Sequence, residues 1–334
     1  MGTRRRLSAC IAVRRLHRGS GLLTWCVAAI ASMLVAGPAA ATAPAAVVAR
    51  DCDRISMDEA ARRLPAAAAP RVLAFQGSVP IVTMAPFAAF LEAMGYPHER
   101  LVHPATGRRS LSSFVDARRL AGEIAWHYER DGVMPVLIGH SQGGMIVIKA
   151  LHALAGRNGP VPVWNPEREA EEPRTWIVDP ASGRRRDVTT LHVPFAAALA
   201  TGSLPRLLLA QWDMLPLLHD VPDSVTTFTG FAIPWDPIAG TGPDPQPFVA
   251  TGTAQVRNVV LPARYSHVAL PAVEHLARQP ATRSWIDAWR PDAPPAPVPA
   301  DANVDNLLHA ADLWHSVKRA WCEAAQPPGV AGVP

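Results

Sequence analysis

Three short stretches of the 334-residue chain hold residue types that could together attack and release an acyl group. Gly139-His140-Ser141-Gln142-Gly143 fits the pattern G-x-S-x-G and stands between two apolar runs, "VMPVLIG" and "MIVIKAL". A serine hydroxyl is a weak nucleophile at its own pKa, so it needs a base, and the base needs an orienting acid. When such a serine sits on a strand–turn–helix, its partners follow in the order serine, acid, histidine. Asp236 in "FAIPWDPIAG" and His267 in "ARYSHVALP" occupy that order, each just after an apolar stretch that reads as a strand. Asp244 lies in the same proline-rich loop as Asp236 and is the first substitute for the acid. Asp213, Asp220 and Asp223 read as solvated, and His219 and His275 as surface or packing residues. His140, beside the serine, is expected to point away from it in a structural role.

Positioning these groups makes demands on the backbone. The serine must occupy a strained turn with little room around it, which explains small residues two positions before and after. The competing explanation is a glycine-rich turn that merely lets a helix pack tightly on a sheet. A developing oxyanion needs preorganised donors. Gln142, immediately after the serine, offers one backbone N–H. The second is expected from the loop after "RVLAFQG", from the amide of Ser78, with Val79 next.

The elements follow from periodicity and punctuation. Ser56 to Glu59 is a capping-box pattern opening a short helix. Strands are expected at 71–77, 99–104, 133–139, 161–166, 224–230 and 254–262. Helices are expected over 84–95, with Gly95 as stop signal, from Ser112 or Ser113 to Gly132, after Ser141, near 272–278, and over 282–289. Strands alternating with helices predict an α/β fold, a mostly parallel sheet with helices on both faces. The alternation breaks at 167–222, where hairpin residues and apolar segments such as "PFAAALATG" and "LPRLLLAQ" read as a cap or lid insertion of short helices. A C-terminal helical extension is expected at about 301–324.

On these motifs the chain resembles the α/β-hydrolase superfamily, and "GHSQGG" looks like the nucleophile motif of its lipase and esterase branches. The resemblance spans roughly 70 to 290. It implies an eight-stranded, mostly parallel sheet, a Ser141/Asp236/His267 triad, Ser78 and Gln142 as oxyanion donors, and no cofactor. One departure is Gln76-Gly77, where lipases and esterases commonly have His-Gly. The activity implied is cleavage of carboxylic esters through an acyl-enzyme, on a small-molecule or lipid ester. An acyltransferase using the same acyl-enzyme is the alternative, as is a non-catalytic hydrolase-fold binding module.

The first 41 residues belong to another class. Six arginines, no acidic residue, an apolar stretch over 22–35 and "GPAAATA" have the order of a secretory signal peptide cleaved after Ala41. An uncleaved membrane anchor is the alternative and would hold the protein at a membrane, while a lipid ester as substrate would bring it to a lipid surface. Removing those six arginines takes the net charge from +4 to −2, which argues against nucleic-acid binding. Of the four cysteines, Cys10 and Cys26 lie in this segment. Cys52 and Cys322 remain, and in an exported protein they are expected to pair, two separate buried thiols being the alternative. No metal site is expected, because histidines and carboxylates show no ligand spacing on a recognisable helix.

Overall fold

The computed structural model describes residues 51–202, 204, 211–294, 296–299 and 304–326; the expected signal segment lies outside them. Five parallel strands form one sheet: β1 (Val72–Phe75), β2 (Val136–His140), β3 (Val193–Leu199), β4 (Val225–Ala232) and β5 (Gln255–Val260). They lie side by side in chain order, registered Val72 on Val136, Leu137 on Ala196, Ala196 on Phe228 and Phe228 on Val256. The eight strands that the resemblance implied are thus five among the described residues. The stretch 99–104 forms no strand: a short 3₁₀ turn occupies His98–Arg100, and Leu111 alone bridges to Phe75.

Helices cover both faces, as parallel sheets require. α1 (Met57–Arg63) starts where the Ser56 hydroxyl accepts the Glu59 amide. α2 (Ala85–Ala93), α5 (Pro280–Ala288) and α6 (Leu307–Ala324) join α1 on one face. α3 (Ala117–Asp131) and α4 (Gln142–Leu154) cover the other. α3 is capped by the Asp116 carboxylate rather than by Ser112 or Ser113, and stops at Gly132, whose φ of 71° suits glycine. The sheet's side chains divide with period two: Val72, Ala74, Val136 and Ile138 enter the first core, Leu73, Phe75 and Leu137 the second. Strands buried on both faces read as continuous apolar runs for this reason.

Among the described residues, the stretch 167–222 holds more strand than helix. It opens with two small antiparallel ladders, Trp164–Asn165 with Ala170–Glu171 and Trp176–Val178 with Arg185–Asp187, and continues into β3, the middle strand of the sheet. "PFAAALATG" reads as a short apolar helix, but Val193–Leu199 is a strand. Its alanines serve closeness instead. A Cβ added to Gly144 of α4 would lie 3.0 Å from the Ala198 Cβ, so the strand must be small where the helix begins. Most of "LPRLLLAQ" falls outside the described residues. Likewise "VPVWNP" adds no strand to the main sheet.

Cys52 and Cys322 form a disulfide that ties the start of the described chain to the last turn of α6. Such bonds form and persist in oxidising compartments. No helix of the described residues is long and apolar enough to cross a membrane.

Candidate active site

Ser141 stands at the junction of β2 and α4 with φ 55° and ψ −120°, a conformation that costs a non-glycine residue about 1–3 kcal/mol and persists only where its surroundings enforce it. The surroundings are backbone. A Cβ at Gly139 would lie 2.1 Å from the Gly143 carbonyl oxygen, and one at Gly143 would lie 2.1 Å from that of Phe75. The Ser141 amide donates to the Leu199 carbonyl of β3, and the Thr201 hydroxyl donates to the Ser141 carbonyl, both at 2.8 Å. Serine at a helix N-cap commonly accepts from the amides of the first turn. Ser141 makes no such bond, so its hydroxyl is not spent on the helix.

The loops after β4 and β5 supply the next two groups, at the carboxyl ends of parallel strands where ligands of such sheets bind. His267 Nδ1 and Asp236 Oδ2 lie 2.7 Å apart, with both side chains buried. The second carboxylate oxygen, Oδ1, accepts the amides of Ile238 and Ala239 at 2.9 and 3.1 Å. Burial alone would raise the Asp236 pKa; the bond to His267 and these two amides outweigh it and hold the acid below its usual range. The acid is therefore ionised and fixed, and it orients the imidazole. Asp244 is exposed and makes no bond to His267.

His140 does more than the sequence suggested. It does not turn away from the site: its Nε2–H donates to the His267 carbonyl at 2.8 Å, and the two rings lie 5.0 Å apart. Burial, then the neighbouring His267, push its pKa down to about 3, so it is a neutral donor at ordinary pH. The residue that precedes Ser141 thus holds the backbone of His267. Thr201 likewise had no sequence signal, since a threonine two residues past a strand is commonplace.

The loop after β1 closes against the serine. A Cβ at Gly77 would lie 3.1 Å from the Ser141 Cβ and 3.6 Å from its Oγ. Gln76 accepts from the Ser110 hydroxyl through its side-chain oxygen at 2.8 Å, and the Ser113 hydroxyl donates to the Gly77 carbonyl at 3.3 Å. Gln76 thereby anchors the loop from which Ser78 follows. Gln142 is buried as the first residue of α4, where amides are free of intrahelical partners. A cleft of about 630 Å³ reaches Gln142, Met145 and Ile146 and is bounded by Phe114, Trp212 and Met214.

The class defined by fold and site is thus an α/β protein whose parallel sheet presents a strained serine, and a buried histidine–aspartate pair, at the ends of its strands. Compared with known proteins, the chain matches no protein family, no curated protein and no solved structure.

Proposed function

We propose that the protein is an exported serine hydrolase of the α/β-hydrolase type that cleaves carboxylic esters. The observation that carries this reading is the buried 2.7 Å pair between His267 Nδ1 and Asp236, held by His140 beside a serine in a strained turn. With Nδ1–H committed to the carboxylate, Nε2 is the nitrogen free to take a proton. Ser141 Oγ attacks the acyl carbonyl as its proton passes to His267 Nε2, and Asp236 stabilises the imidazolium. The amides of Gln142 and Ser78 receive the negative charge that develops on the carbonyl oxygen. The imidazolium then protonates the departing alcohol, and the acyl group stays on Ser141. A water, deprotonated by the same histidine, attacks the acyl-enzyme, and collapse of the second intermediate releases the acid and returns the proton to Ser141.

The rim favours an apolar ester. Val79 and Ile81 follow the Gln76–Ser78 loop, Trp235 and Ile238 flank Asp236, and Val268 follows His267, and all five are exposed. Scattered apolar residues on a surface need no explanation, but here they gather on the loops that carry the reacting groups. A lipid-like acyl or alkyl group would cover them. Export is supported by the Cys52–Cys322 bond, together with the signal-like order of the first 41 residues.

The test is a panel of nitrophenyl esters of increasing acyl length with Ser141→Ala as control. Turnover is expected to rise beyond acetate and to fall by on the order of 10⁶ in the variant. Wild-type turnover by Ser141→Ala would overturn the assignment.

A further inference from the structure

Away from the serine site, α3 buries an unusual group of side chains. Glu123 and His127 stand one turn apart on one face of the helix, and His103 reaches them from the preceding loop. His103 Nε2 lies 3.0 Å from Glu123 Oε1, and His127 Nε2 lies 3.6 Å from the same oxygen. One ligand atom from each of the three residues falls within 4.8 Å of the others. The His127 side chain is fully buried, yet neither of its ring nitrogens has a hydrogen-bond partner among the described residues. A neutral imidazole carries one donor and one acceptor, and buried rings normally find partners for both. Such a residue needs an explanation that packing does not supply.

We propose that His103, Glu123 and His127 form a binding site for a divalent transition metal, with zinc the best fit. Ligand atoms about 2.0–2.2 Å from a tetrahedral ion lie roughly 3.4 Å from one another. The observed 3.0 and 3.6 Å separations from Glu123 Oε1 bracket that value, and the remaining separation, within 4.8 Å, closes by side-chain rotation of the histidines. Two imidazoles and a carboxylate suit zinc, whereas calcium and magnesium prefer all-oxygen shells. A cavity of about 180 Å³ lined by His103, Glu123 and Glu169 gives an entry path and room for a water at the fourth position. Metal-bound histidines usually pass their other N–H to an acceptor, and that support is worth about 10–100-fold in affinity. His103 Nδ1 and His127 Nδ1 lack acceptors here, so the site binds more weakly than a fully supported structural zinc site.

The metal would fasten the 102–111 segment to α3. That segment pairs with the end of β1 through the Leu111 amide on Ala74 and the Gln76 amide on Leu111, and its Ser110 holds Gln76. The ion would therefore brace the loop that closes on Ser141 from behind, without touching it. The proposal stands whether or not the protein hydrolyses esters.

The experiment uses the full chain, stripped with a chelator and dialysed against limiting zinc. It should retain about one equivalent, and its melting temperature should rise with zinc and fall again with chelator. Cobalt in place of zinc should give visible d–d bands without the near-ultraviolet thiolate charge transfer that Cys10 or Cys26 would cause. His103→Ala, at a partly exposed position, should weaken binding about tenfold or more while leaving the circular dichroism spectrum unchanged. Glu123→Gln is the second variant. Overturning results would be wild-type protein that retains no zinc and gives no cobalt bands, bands carrying thiolate charge transfer, or folded His103→Ala and Glu123→Gln variants that bind as wild type does.

Discussion

Replacing Cys52 and Cys322 together by alanine tests how the two ends of the domain are held. The bond joins residues 270 positions apart, so it removes nearly the whole chain's closure entropy from the unfolded state. The chain-entropy relation gives about 5–6 kcal/mol for such a loop, and bridges in practice deliver about 2–4 kcal/mol. Both sulfurs are buried, and Gln326 donates to Cys52 Sγ, so their loss also leaves a small void. Native contacts between the ends remain: the Trp321 indole donates to the Pro65 carbonyl, and its ring meets Tyr96 edge-on at 5.3 Å. A cost near 3–4 kcal/mol should lower the melting temperature by about 10 °C in a domain of this size. Differential scanning calorimetry of the double variant beside wild type, both in oxidising buffer, gives the value. A shift under about 2 °C would mean that packing alone holds the ends, and the entropic reasoning would fail.

Asp236→Asn should keep the fold but present an N–H to His267 Nδ1, favouring the wrong tautomer; ester turnover should fall by about 10³–10⁴, and a loss under tenfold would remove Asp236 from its role. Gly143→Ala drives a Cβ to 2.1 Å from the Phe75 oxygen, so α4 must shift off the sheet. A destabilisation of about 3 kcal/mol in urea unfolding is expected, and a neutral result would contradict the close approach. His140, His309 and His315 are buried with pKa values pushed down to about 3, 4 and 3, by burial first in each case. Their unfolded values near 6.5 are higher, so the unfolded chain binds more protons between those limits and stability drops as the pH is lowered. Each histidine costs about 1.4 kcal/mol per pH unit below 6.5, so the three together cost about 4 kcal/mol at pH 5.5. Urea midpoints unchanged between pH 7.5 and 5.5 would refute this.

The serine, acid and histidine were legible because each follows a short apolar run that ends abruptly, and a parallel sheet puts all such ends on one edge. The disulfide was legible once Cys10 and Cys26 were set aside. β3 was not, since Phe195 to Leu199 is rich in alanine and only the neighbouring start of α4 makes small residues a requirement of the sheet. A structural role for His140 was legible, but its partner, a backbone carbonyl 127 residues away, is one no local pattern reveals. Glu123 and His127 stand four apart on a helix the sequence predicts, a spacing that was legible and passed over; only His103, 20 residues earlier on a loop, needs the tertiary structure. Tertiary packing decides these cases, and local propensity is silent on it.

The central claim is that Ser141 is a nucleophile activated by His267. Incubating the protein with a fluorophosphonate and measuring intact mass, followed by peptide mapping, tests it without knowledge of the natural ester. A single phosphonyl adduct on the Ser141 peptide, absent in Ser141→Ala and strongly slowed in His267→Ala, is the expected result. No adduct, or an adduct on another residue that forms equally fast in both variants, would contradict the account.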